Sequence, residues 1–199
     1  MFKRLIDIVV SLFILVLSSP VMLVISILIM KQLGSPILFR QARPGINGEL
    51  FEMLKFRSMQ ERYDASGKML SDSERLSNFG TKLRSSSLDE LPSLVNVLRG
   101  EMSLVGPRPL LPEYLPLYDS FQSRRHELKP GITGWAQVNG RNSLSWEDKF
   151  ALDVWYIDNR SLWLDVKILF MTVLKVLKRE GITQDGAATV EPFKGKIDD

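Results

Sequence analysis

Residues Leu5 to Met30 read LIDIVVSLFILVLSSPVMLVISILIM, apolar apart from Asp7 and scattered serines. As one helix this run is about 39 Å long, more than a hydrocarbon core of roughly 30 Å requires. Lys3 and Arg4 precede it as in a secretion signal, but the run is too long and KQLGSPILFRQ is a poor cleavage site. LSSPV stands at its middle. Pro20 has no N–H for the carbonyl of Val16 and its ring crowds that carbonyl, which predicts a kink. The hydroxyls of Ser18 and Ser19 can satisfy the freed backbone groups inside an apolar medium. The two arms, about 22 Å and 15 Å long, would each cross one leaflet. Lys3 and Arg4 before the run, and Lys31, Arg40 and Arg43 after it, favour a cytoplasmic location for both ends and suit a re-entrant hairpin. Spanning helices also contain proline, so the residues alone leave a span and a hairpin open. Either attaches the chain to a membrane.

Beyond Gly34 the pattern changes to short runs and turns. ILFRQARPGING and LFEMLKFRSM read as two strands joined by a Pro-Gly turn. Residues 60–80 are polar and read as a surface loop with a weak helix. LDELPSLVNVLRG is a helix ended by Gly100, and SLVGPRP is a stiff turn. LLPEYLPLYDSFQSRRHEL reads as helical, and KPGITGWAQVNGRN as turn, strand, turn. SWEDKFALDVWYIDN and SLWLDVKILFMTVLKVLKRE are two amphipathic helices, and the tail from Gly181 is loosely ordered. On the last helix Lys167, Lys175, Lys178 and Arg179 share one face beside a wide apolar stripe. Snorkelling lysines on a packed helix give that pattern, as does an interfacial helix on lipid phosphates, with Trp155, Tyr156 and Trp163 at headgroup level. With no βαβ rhythm, the expected fold is α+β and mostly helical, with a small hairpin sheet from the 37–59 region.

Composition narrows the chemistry. Lysine and arginine total 26 against 23 acids, a net charge of +3, too mild an excess to argue for nucleic acid. Without cysteine and with the single histidine His126, a thiolate nucleophile, a thiolate metal site and a multi-histidine zinc site are excluded. Carboxylates, lysines, arginines or a metal held by oxygen must do any polar chemistry.

In SSSLDELPSLVNVLRG, Asp89 and Glu90 stand three and two residues ahead of Pro92, which is comfortable only in a helix's first turn. Carboxylates there are stabilised by roughly 0.3–1 kcal/mol, so a capping role accounts for both. Three features argue for more. A helix start also attracts phosphate. Cations cluster around the segment: Lys55 and Arg57 in KFRSM, Arg84, and Arg108 in the stiff GPRP turn. Oxygen ligands are plentiful, which suits Mg²⁺, and a carboxylate can attack phosphorus to give an acyl phosphate. The residues thus point to phosphoryl chemistry at a membrane surface.

SSSLDELPSLVNVLRGEMSLVGPRP, with KFRSM upstream and KPGITGWAQVNGR downstream, resembles the bacterial sugar transferases, the monotopic polyprenyl-phosphate phosphoglycosyl transferases, and is most similar to the PglC type. The likeness runs from SSP to VLKRE. It implies a re-entrant membrane helix at residues 1–33, broken at Ser19-Pro20, and a cytoplasmic interfacial catalytic domain at 34–199. It implies transfer of a sugar phosphate from a UDP-sugar to undecaprenyl phosphate with release of UMP. The course would be ping-pong, at the cytoplasmic face of the bacterial inner membrane, and downstream glycosyltransferases are possible partners. Asp89 would match the nucleophile, with Mg²⁺ on Asp89 and the diphosphate, and Glu90 its dyad partner in the second half-reaction. Lys55, Arg84, Arg108 and Arg141 fall on positions that bind substrate phosphate or the nucleotide. An N-acetylated amino sugar is the expected donor. Ser93 and Glu101 depart from the pattern, which usually has glutamine and aspartate there. The alternatives are a membrane-anchored phosphatase or phosphotransferase, and a scaffold in which Asp89 is only a cap. His126, Asp153 and Asp165 read as satisfied or surface polar residues, with Asp153 or Asp165 as the alternative that orients a basic site residue.

Overall fold

The computed structural model describes residues 2–140, 143–178 and 192–195. Helix α1, Phe2–Gln32, carries the apolar run and keeps helical backbone on both sides of Pro20. The expected break is therefore not an interruption of the helix. Ser19 Oγ donates to the Val16 carbonyl at 2.8 Å, the group that Pro20 leaves without its usual partner. Both ends of α1 are fastened to the same body. At the N-terminal end Lys3 pairs with Asp165 at 2.7 Å, and Arg4 donates to the carbonyls of Val97 and Leu98. Buried Asp7 accepts from Ser103 Oγ and the Leu104 N–H. At the other end Ile25, Ile29 and Leu33 pack with Phe56 and Leu83. Arg57 donates to the carbonyls of Leu33, Ser35 and Met59. Arg57 is thus spent on tying the helix end and does not join the cation cluster.

Strands β1 (Leu38–Pro44) and β2 (Leu50–Phe56) form the expected antiparallel hairpin, paired from Leu38↔Phe56 to Pro44↔Leu50. Asn47 and Gly48 take left-handed backbone in its turn. After the loop come α2 (Asp72–Arg75) and α3 (Asn78–Ser85). The sequence reading missed α3 because Gly80 is a poor helix former. Here it permits contact: a Cβ at Gly80 would lie 1.9 Å from the Ser58 carbonyl. A 3₁₀ turn at Leu88–Glu90 leads through Pro92 into α4 (Ser93–Arg99), which Gly100 ends at φ 87°.

SLVGPRP is more than a turn, since Ser103–Val105 forms β3 and pairs in parallel with β4, Gly131–Thr133. The segment expected to be helical after it forms two 3₁₀ stretches instead, Pro112–Leu117 and Gln122–His126. Pro116 removes a helical donor, and Asp119 accepts from the Gln122 N–H to start the second stretch. Helices α5 (Trp135–Val138), α6 (Trp146–Asn159) and α7 (Leu162–Lys178) complete the chain. On α7, Trp163, Val166, Phe170, Val173 and Leu177 are exposed, an apolar face of the expected kind. Tyr156 is not at a headgroup surface; it is buried and donates to Asp165 at 2.6 Å. Arg179 and the segment 181–191 lie outside the described residues.

The main core joins Met53 of β2, Leu94 and Val97 of α4, β3, Val138, Tyr156 and Ile168. Asn96, fully buried, stitches α4 to β2. Its Oδ1 accepts from the Leu54 N–H at 3.0 Å, and its Nδ2 donates to Glu52 O and Glu101 Oε2, both at 2.7 Å. Ser93 adds a bond to the Leu54 carbonyl at 2.6 Å. Both departures from the family pattern, Ser93 and Glu101, thus belong to this seam. Asn96→Ala leaves the buried Leu54 N–H unpaired and is expected to cost about 1–3 kcal/mol, read as a lowered denaturation midpoint.

Candidate active site

The seam fixes the start of α4, and with it the two carboxylates. Ser87, just before them, holds φ 56°, a left-handed conformation rare for a residue with a Cβ. Such strain is of order 1–3 kcal/mol and collects at functional sites. Asp89 is buried, and burial and neighbouring charges act on it, with no hydrogen bond to its carboxylate among the described residues. A hydrogen-bonding cap would accept a backbone N–H, which Asp89 does not do among the described residues. Glu90 does the pairing. Its Oε1 accepts from Lys55 Nζ at 2.8 Å and from Arg108 Nη2 at 2.7 Å.

Electrostatics separates the two acids. Burial pushes Asp89 up to about 6, helped by the charge of Glu90 and opposed by Lys55, Arg108 and Arg84. Burial would raise Glu90 too, but Arg108 and Lys55 outweigh it and hold it well below the usual carboxylate range. Lys55 is pushed down by burial, against the pull of Glu90. If Asp89 acts as a nucleophile, its first step requires the ionised form. That step is expected to rise with pH, reach half its plateau near pH 6, and stay flat above, as a burst titrated from about pH 5 to 8 would show.

The other expected residues divide. Arg84 is held by Nε donating to Ser58 Oγ at 3.0 Å, and its charge reaches Asp89. Arg141 lies outside the described residues. Among the described residues no three carboxylate or histidine groups converge on a metal. His126 keeps a bond to the Gly45 carbonyl at 3.1 Å, away from the dyad's hydrogen bonds. Two features were missed. Arg43 lies close enough to Arg108 for that charge, after burial, to help lower it to about 10; the sequence showed it only as a flanking positive charge. Arg125 donates to the Arg108 carbonyl at 2.7 Å and pairs with Asp153 at 2.8 Å, both fully inside. The second pair joins residues far apart in sequence and left no local signal.

A cavity of about 360 Å³ reaches Glu90 and Arg108 between α1, α4 and α7. Its walls are mostly apolar.

The model of the family described as bacterial sugar transferase matches residues 1–179. The chain belongs to the bacterial sugar transferase family. The sugar transferase EpsL of Bacillus subtilis (strain 168) is 53% identical over 98% of this chain and 97% of its own length. A UDP-glucose:undecaprenyl-phosphate glucose-1-phosphate transferase of Klebsiella pneumoniae is 44% identical over 87% of this chain. An undecaprenyl-phosphate galactose phosphotransferase of Salmonella typhimurium is 38% identical over 90%. This bacterial sugar transferase spans only 40% and 41% of the length of those last two relatives.

Proposed function

We propose that this bacterial sugar transferase moves a sugar phosphate from a UDP-sugar to undecaprenyl phosphate in two displacements at one phosphorus. An oxygen of Asp89 attacks the phosphorus that carries the sugar. The bond to the bridging oxygen breaks, UMP leaves with that electron pair, and an aspartyl phosphosugar remains. A phosphate oxygen of the lipid then attacks the same phosphorus. The Asp89 O–P bond breaks, restoring the carboxylate and giving a polyprenyl diphosphate sugar. The observation that carries this is the pairing pattern: a buried carboxylate without a hydrogen bond among the described residues, beside a second one that holds two cations.

Lys55 and Arg108 are the groups to receive the donor's phosphates, and Arg84 adds charge on the Asp89 side. While both cations rest on Glu90, it is too weak a base to take a proton. When substrate phosphate draws them off, Glu90 regains basicity and can accept the proton of the incoming lipid phosphate. Among the described residues no three carboxylate or histidine groups converge, so Asp89 together with phosphate oxygens of the substrate would hold Mg²⁺. When bound it supplies neutralisation of the diphosphate charge.

We further propose residues 1–33 as a re-entrant anchor and 34–199 as the catalytic domain on the cytoplasmic face of the inner membrane. Support comes from α1, whose two ends bind one body although the helix is about 46 Å long. A straight span would carry one end across the bilayer. The test of the reaction is UMP release from a panel of UDP-sugars, N-acetylated amino sugars included. Sustained release that depends on undecaprenyl phosphate supports it. A phosphoenzyme without UMP favours a phosphatase, and no release across the panel in folded protein favours a scaffold.

A further inference from the structure

The cavity beside the dyad is walled by Val10 and Ile14 of α1, Leu94 of α4, Leu104 of β3, and Val173 and Val176 of α7. The opposite faces of α1 and α7 are apolar and exposed, with Val9, Phe13, Val166, Phe170 and Leu177 outward. The cavity thus lies between two helices suited to lipid. Besides Glu90 and Arg108, its polar side chains are Ser87, Thr133, Gln137, Thr172 and Lys175, and of these only Lys175 is charged. Lys175 lines the cavity, is half-buried, and has no ion pair or hydrogen bond among the described residues. Glu90 shares the cavity, but its Oε1 is already bound by two cations. A lysine in the wall of a mostly apolar cavity, with no counter-ion among the described residues, suits an anion from outside the chain.

We propose that this cavity holds the first isoprene units of the acceptor and that Lys175 binds the acceptor's phosphate. The proposal rests on the transfer reaction above and assigns its second substrate a place. Phosphate could also come from the nucleotide donor, but ribose and uracil carry more polar groups than a mostly apolar lining, with Ser87, Thr133, Gln137 and Thr172 as its uncharged polar side chains, can pair. A branched hydrocarbon chain gains burial against the Val, Ile and Leu side chains that make up most of the lining.

Full-length protein in nanodiscs, examined by native mass spectrometry with undecaprenyl phosphate or undecaprenol, tests this without requiring turnover. The wild type is expected to retain the phosphate roughly tenfold better than the alcohol, Lys175→Met to lose that preference, and Lys175→Arg to keep it. In steady state Lys175→Met is expected to raise KM for the lipid roughly tenfold, with KM for the UDP-sugar moving less than about twofold. A wild type without preference, or a Lys175→Met variant that keeps it, overturns the proposal. A shift confined to the UDP-sugar KM moves Lys175 to the donor and overturns it equally. Absence of transfer by the wild type sinks the reaction instead, and the binding comparison still decides the role of Lys175.

Discussion

Asp89→Asn is expected to lower sugar-phosphate transfer by roughly a thousandfold or more while making the folded protein more stable at neutral pH. The two effects share one cause. Asp89 is buried without a hydrogen bond, and its pKa is raised from 3.8 to about 6. The folded chain therefore binds this proton more tightly than the unfolded chain does. Stability falls as pH rises from about 4 to 6, and above that the ionised carboxylate costs about 1–3 kcal/mol. Asparagine fills the same space without charge and removes that penalty. Thermal unfolding at neutral pH should show the gain, and it should vanish below about pH 4. A capping carboxylate predicts the reverse, a loss of stability on substitution with transfer intact.

Asp153→Ala is expected to destabilise the protein by about 3–5 kcal/mol, because it leaves the Arg125 guanidinium buried and unpaired. Burial pushes Asp153 up even against Arg125, so the pair itself is a poor source of stability. Replacing both partners with apolar residues, Arg125→Met with Asp153→Leu, should then restore most of what the single change loses. Transfer should not return with it. Arg125 Nη2 also holds the Arg108 carbonyl, and Arg108 reaches Glu90 from a turn between two prolines. Without that donor the turn is less fixed, and a drop of roughly tenfold to a hundredfold in transfer is expected from the misplaced guanidinium. Comparing denaturation midpoints with transfer rates across the wild type and the two variants separates packing from positioning. Recovery of both in the double variant would leave Arg125 with a structural role only.

The hairpin, the helix after Asp89, the stop at Gly100 and the two C-terminal amphipathic helices were legible because each rests on local pattern: alternation, a proline in a first turn, a terminal glycine. Helix α3 was hidden by Gly80, which is there for close approach to Ser58 and not for helix propensity. Strand β3 was hidden because three residues beside a Gly-Pro turn carry no period, and their pairing with β4 is settled by chain far downstream. At the site, Asp89, Glu90, Lys55 and Arg108 announced themselves through adjacency and stiff flanks. What no local pattern held was the division of labour. Arg57 turns to the end of α1, Arg43 comes beside Arg108, and both cations choose Glu90 and leave Asp89 bare.

The intact mass of the protein after incubation with a UDP-sugar substrate in the absence of lipid tests the account at its centre. The wild type is expected to gain one sugar phosphate, to lose it on addition of undecaprenyl phosphate, and Asp89→Asn to gain nothing. Lipid-dependent UMP release from a wild type that never carries the adduct, or an adduct that persists in Asp89→Asn, would contradict it.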